Sequence, residues 1–148
     1  MQALKDKVAI VTGAAMGMGE ATARLFAREG AKVVVADFND EKGEAVAASI
    51  REAGGEATFV HVDISKADEV EAMVRATVDA YGRLDVAINN AALTPDDKPV
   101  HEFDEEYWDR LMAVDLKGTA LCLKYELRQL RAQGGGGSIV NISSVSGF

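Results

Sequence analysis

The segment Thr12-Gly13-Ala14-Ala15-Met16-Gly17-Met18-Gly19 sets three glycines in a G-x-x-x-G-x-G spacing. Where a backbone passes close to a pyrophosphate there is no room for side chains, so glycine is required. Amides at the start of a following helix point at the anion, and the helix dipole favours its charge. A glycine-rich turn alone is a weak indicator, because surface turns also collect glycine. The flanks strengthen it: the apolar run Val8-Ala9-Ile10-Val11 precedes the turn and the amphipathic segment Glu20–Glu29 follows. Asp37 closes a second apolar run, 18 residues past Gly19. A carboxylate there accepts hydrogen bonds from the adenosine ribose hydroxyls and repels a 2′-phosphate, which favours NAD over NADP. No Arg or Lys follows Asp37 until Lys42. The plainer alternative is a turn aspartate in Asp37-Phe38-Asn39-Asp40.

These residues need strands and helices to hold them. Apolar runs predict strands over Val8–Val11, Lys32–Ala36, Ala57–Val62, Val86–Asn89 and Ser138–Ile142. Their near-continuous apolar character suits strands buried on both faces. Helical patterns cover Gly19–Glu29, Glu41–Ala53, Lys66–Tyr81 and Glu105–Gln133. Ser65 is placed to cap the third helix, with Asp68 three residues on, and Asp104 to cap the fourth. Gly30, Gly54-Gly55 and Gly82 stand where helices should stop. The alternation predicts an α/β fold: a doubly wound parallel sheet with helices on both faces. No linker or repeat divides the 148 residues, and Gly134–Gly137 reads as a turn into the last strand.

Nearly half the chain, 48%, is hydrophobic, enough for a sizeable core. Sixteen basic against 24 acidic residues give a net charge of −8. That argues against a nucleic-acid partner or an anionic membrane surface. The single cysteine, Cys122, sits in an apolar helical pattern and reads as core. No apolar run approaches the roughly 20 residues of a membrane span, and the polar start Met1–Lys7 has no signal-peptide pattern. A cytoplasmic location is expected. The histidines carry little: His61 is expected mid-strand and His101 in the loop Thr94–Phe103, neither with a Ser or Cys partner placed by sequence.

The motifs taken together resemble the short-chain dehydrogenase/reductase family. The carrying residues are Thr12-Gly13-x-x-x-Gly17-x-Gly19, Asp63-Ile64, Asn89-Asn90-Ala91-Ala92 and Asn141-Ile142-Ser143-Ser144. The resemblance covers essentially the whole chain. It implies a Rossmann-like sheet of strand order 3-2-1-4-5, with residues 1–148 forming a dinucleotide-binding domain incomplete at its C-terminal side. It implies cofactor contacts from Thr12, Gly13, Ala15, Met16, Gly17, Met18, Gly19, Asp37, Asp63, Ile64, Asn89, Asn90 and Ala91, with Asp63 at the adenine ring. Thr12 is expected to tie the glycine turn to the Asn-Asn-Ala segment. Ala92 departs from the family's usual glycine.

By the same resemblance Ser144 is the catalytic serine that holds the substrate oxygen. Ser143 and Ser146 stand close enough for that assignment to slip. Leu111, Asp115, Gly118 and Cys122 fall on one helical face, while Lys117, Lys124, Arg128 and Arg131 mark the wet one. Asp115 therefore points toward the sheet, where an acid needs a reason. The family has asparagine at this catalytic position, part of a water chain, and aspartate there either still binds water or reaches solvent at the helix edge. Gly118 lets backbone pack close.

The family's chemistry also uses a tyrosine a little over ten residues beyond the serine and a lysine four further on, whose charge lowers the tyrosine's pKa. Tyr81, Tyr107 and Tyr125 all lie upstream of Ser144, and none has lysine at +4. The expectation is a piece of a longer NAD-dependent oxidoreductase acting on an alcohol or ketone, and by resemblance a homodimer or homotetramer. A catalytically silent dinucleotide-binding module is the alternative. A methyltransferase using S-adenosylmethionine is disfavoured by the glycine spacing and the Asn-Asn-Ala segment.

Overall fold

A computed structural model describes residues 2–145. Five strands, β1 (Val8–Thr12), β2 (Lys32–Asp37), β3 (Glu56–His61), β4 (Val86–Asn89) and β5 (Ser138–Asn141), form one parallel sheet in the order β3-β2-β1-β4-β5. Helices α1 (Gly17–Arg28) and α2 (Asp40–Glu52) cover one face; α3 (Ala67–Tyr81) and α5 (Thr119–Gln133) cover the other. The short α4 (Glu105–Leu111) precedes α5. The doubly wound order expected from the sequence is the order observed.

Side chains alternate across a strand, and here both sides are apolar. Ala9, Val11, Val33 and Val35 pack with Ala23, Val46, Ala47 and Ile50. Ile10, Val34 and Ala36 pack on the opposite face with Val70, Met73, Cys122 and Tyr125. β3 and β5 are the edges. On β5 and just past it, Val140 and Ile142 remain exposed.

Three local expectations change. Ser65 does not cap α3: the N-cap is Lys66, without a side-chain bond. Instead Asp63 Oδ1 accepts from both the amide and the hydroxyl of Ser65, at 3.0 and 2.6 Å. The helix expected over Glu105–Gln133 is interrupted by a π-helical segment, Met112–Gly118. His61 is the last residue of β3 rather than a mid-strand one, and it pairs with Asp40 at 2.6 Å. Asp104 does cap α4, accepting from the amides of Glu106 and Tyr107. Ser146 lies outside the described residues.

The end of the sheet opposite the glycine turn is tied by Asp85. Its carboxylate accepts from the buried Val8 amide at 2.9 Å, while its carbonyl accepts from the Ser138 amide. Burial acts to raise its pKa, but the Val8 amide and the Arg83 guanidinium outweigh that and hold it below the usual carboxylate range. A depressed folded pKa contributes stability above the unfolded value and loses it as pH falls. Asp85→Ala, which strands the Val8 amide, is expected to lower stability by about 2 kcal/mol at pH 7. Urea titration should show the deficit shrinking on acidification; a deficit unchanged at acid pH contradicts this account.

Candidate functional site

All the singled-out motifs except that at Asp115 emerge at the C-terminal edge of the sheet. β1 and β4 are neighbours whose crossovers leave in opposite directions, and the crevice between such strands is where open α/β sheets take ligands. The glycine turn lies there. Gly13 and Gly17 have φ of +64° and +56°, a region that L side chains rarely adopt. A Cβ on Gly13 would stand 2.9 Å from Ala91 Cα, whereas one on Gly17 would meet open space. Gly19 is closed in by the Gly13 carbonyl and the Asn90 amide. The turn is thus packed on the Gly13 and Gly19 side and open on the Gly17 side.

α1 starts at that open side. It has 12 residues, and its N-cap Met16 makes no side-chain capping bond. Its first amides have no intrahelical acceptor. Met16 and Met18 are exposed beside them. These features fit a pyrophosphate. The Ala15 amide is already committed, donating to Asp37 Oδ2 at 2.9 Å.

Thr12 joins the two halves. Its hydroxyl donates to the Ile88 carbonyl at 3.4 Å and accepts from the amides of Asn90 and Ala91 at 3.0 and 3.1 Å. Asn90 answers with its side-chain amide to the carbonyls of Thr12 and Gly13. The tie expected between turn and Asn-Asn-Ala segment is present.

Asp37 sits at the rim. Besides Ala15 it accepts from the Asn39 amide, one bond on each oxygen, which fixes the carboxylate and leaves further lone pairs. Asp63 is bound more locally: Ser65 occupies Oδ1, and Lys66 Nζ lies 3.8 Å from Oδ2. The side chain of Ile64 is buried against Gly118, where a Cβ would come within 2.8 Å of it. Gly118 therefore admits the loop after β3 rather than a strand.

The acid at 115 has a structural reason. Asp115 Oδ1 accepts from the Leu93 amide at 2.8 Å, pinning the loop that leaves β4. It lies inside the π-helical segment, and its carbonyl accepts from the Thr119 hydroxyl. Single π turns recur at functional sites because they re-aim one side chain out of helical step. Ser144 stands three residues past the end of β5, exposed at the same edge.

Asn89 departs from its neighbours. Its side chain is buried, donating to Glu126 Oε2 and to Asn141 Oδ1, each at 3.0 Å. Glu126 was not singled out by the sequence reading, although it lies four residues past Cys122 on the face that already held Asp115. It is fully buried, and burial, partly offset by the Asn89 bond, pushes its carboxyl up to about 7. Burial and the Glu126 charge push the Cys122 thiol up to about 12, so it is an inert core group.

The family described as short chain dehydrogenase matches residues 7–148. A short chain dehydrogenase/reductase of Aspergillus oryzae is 50% identical over 144 residues, 97% of this chain and 55% of that protein. The cis-4-hydroxycyclohexanecarboxylate dehydrogenase of Sinomonas cyclohexanicum is 43% identical over 146 residues, 99% of this chain and 58% of that protein. A crystal structure of a short chain dehydrogenase from Mycobacterium smegmatis superposes with a TM-score of 0.96 at 37% identity, covering 100% of this chain and 62% of that one. The chain thus spans little more than half the length of the curated relatives it matches. It belongs to the short-chain dehydrogenase/reductase family.

Proposed function

We propose that this chain is the cofactor-holding portion of an NAD(H)-dependent oxidoreductase that moves a hydride between nicotinamide and an alcohol or ketone carbon. The observation that carries the reading is the glycine cradle, open at Gly17, with the fixed Asp37 carboxylate at its rim. The family binds nicotinamide dinucleotides, and the relatives are named dehydrogenases and reductases. The name of the Sinomonas relative, a dehydrogenase of a ring-borne alcohol, supports the substrate class.

The dinucleotide supplies the hydride donor or acceptor. The α1 amides take the pyrophosphate, and Asp37 takes the ribose hydroxyls. Asn90 and Ala91, held by Thr12, form the floor on the nicotinamide side. Ser144 holds the substrate oxygen. Asp115 positions the loop after β4 through Leu93, in place of the family's asparagine. The proton passes through a tyrosine assisted by a lysine, which this reading places in the remaining length of the enzyme. No helix among the described residues is long and apolar enough to cross a membrane. The reading includes a cytoplasmic location and a dimer or tetramer.

Two measurements on the full-length protein test it. Fluorescence titration should give NAD at least about tenfold tighter binding than NADP, a difference of roughly 1.4 kcal/mol. Asp37→Ser should narrow the gap, and tighter NADP binding by the wild type overturns the role given to Asp37. Thr12→Val removes one acceptor from two amides at once. It should lower stability by about 2 kcal/mol and weaken NAD severalfold; unchanged NAD affinity would remove Thr12 from the cradle.

A further inference from the structure

Among the described residues, two buried side-chain atoms have no hydrogen-bond partner: Asn89 Oδ1 and Glu126 Oε1. They belong to the same pair, already joined by the bond from Asn89 Nδ2 to Glu126 Oε2. The Asn89 amide group has two protons, and both are spent, one on Glu126 and one on Asn141 Oδ1. Its carbonyl oxygen therefore needs a donor from outside. An ionised carboxylate offers none, and two buried acceptors of the same pair would be left unpaired. A carboxylic acid resolves both at once, because its hydroxyl donates to the amide carbonyl while its carbonyl accepts from the amide N–H.

The same chain displays the neutral counterpart of that ring two turns along α5. Gln133 accepts from the Leu84 amide at 3.1 Å and donates its side-chain N–H to the Leu84 carbonyl. Glu126 and Gln133 are seven residues apart on α5, and Leu84 and Asn89 lie at and just before the two ends of β4. α5 is clamped to β4 at both ends, by an amide at one and an acid at the other.

We infer that Glu126 is a neutral carboxylic acid paired through two hydrogen bonds with the Asn89 amide, and that this pair is a positioning element for the cofactor floor and the serine strand. Asn89 is followed directly by Asn90 and Ala91, and its carbonyl accepts from the Ile142 amide, two residues before Ser144. Asn141, its other side-chain partner, ends β5. The positioning role rests on the dinucleotide reading above; the protonation does not.

The groups facing Glu126 leave the proton in place near neutrality. β4 and β5 present the amides of Asn89 and Asn141. On its own helix Cys122 stays a thiol over the working range. Toward α3 the charges of Glu71 and Arg128 pair with each other at the surface. The folded carboxyl holds its proton until about pH 7, whereas the unfolded one releases it near its ordinary value of about 4.3. Between those values the folded state binds more protons than the unfolded one. Stability therefore falls as pH rises through that interval and levels off above it.

The test compares full-length wild type with Glu126→Gln and Glu126→Leu. Glutamine can form the same ring without a titratable proton; leucine forms neither bond. Infrared difference spectra should show a protonated-carboxyl carbonyl band in the wild type at pH 6 that Glu126→Gln lacks. Glu126→Gln should match wild-type melting temperature and NAD affinity at pH 6, and gain on it in stability between pH 5 and 8. Glu126→Leu should weaken NAD severalfold. If that variant does not fold, the band and the glutamine comparison decide. The inference is overturned if the band is absent, or if Glu126→Gln is impaired at pH 6. A wild type that binds no dinucleotide overturns the functional reading instead, and the band and the pH dependence of stability still judge the protonation.

Discussion

One hydroxyl holds the site together. Thr12 ends β1, and β4 beside it sends its loop to the opposite face of the sheet, so the crevice between them would open without a bridge. A side chain there must offer one donor and two acceptor sites at once, and a threonine hydroxyl has that inventory. With all three used, one oxygen joins the end of β1 to the segment that leaves β4. Asn90 reinforces the bridge in the other direction. Its amide also fills the space that a side chain at 13 or 19 would need, so the glycines and the asparagine constrain one another. The backbone beside Gly17 is left exposed, and that is the part a phosphate would occupy.

The rest of the sheet supplies rigidity for this arrangement. Strands buried on both faces cannot shift register without carrying apolar side chains into the wrong layer. At the far end Asp85 fixes where β1, β4 and β5 begin. The positions at the C-terminal edge are therefore set by counting residues along strands whose starting points are pinned.

That rigidity is also why so much was legible. Unbroken apolar runs such as Val33–Val35 and a glycine turn between strand and helix leave few alternatives, and strand order was implied by the family resemblance. What escaped has a common physical character. The π segment at Met112–Gly118 changes the hydrogen-bond step but hardly disturbs the spacing of apolar residues, so the pattern read through it as one helix. Ser65 resembles a cap by type, yet Asp63, two residues earlier, captures both its amide and its hydroxyl. Glu126 was hidden by its own type: a charged residue in an amphipathic helix reads as surface, although its spacing from Cys122 put it on the buried face.

The buried acid also bears on a question of register. A helix packed on a sheet by apolar contacts alone can be shifted along its axis by one turn, about 5.4 Å, and still bury comparable area. Apolar packing is non-directional, so it distinguishes such alternatives poorly. Directional bonds do not share that tolerance. Gln133 bonds both the amide and the carbonyl of Leu84, and Glu126 bonds the Asn89 amide. Satisfying both requires one placement of α5 on β4. A leucine at 126 would avoid the cost of taking a carboxyl from water but would leave the buried Asn89 amide without that partner. What the acid contributes is a single alignment at the strand whose next two residues hold the Thr12 hydroxyl. The buried polar pair and the glycine cradle are thus successive links along the same few residues, Asn89 to Ala91.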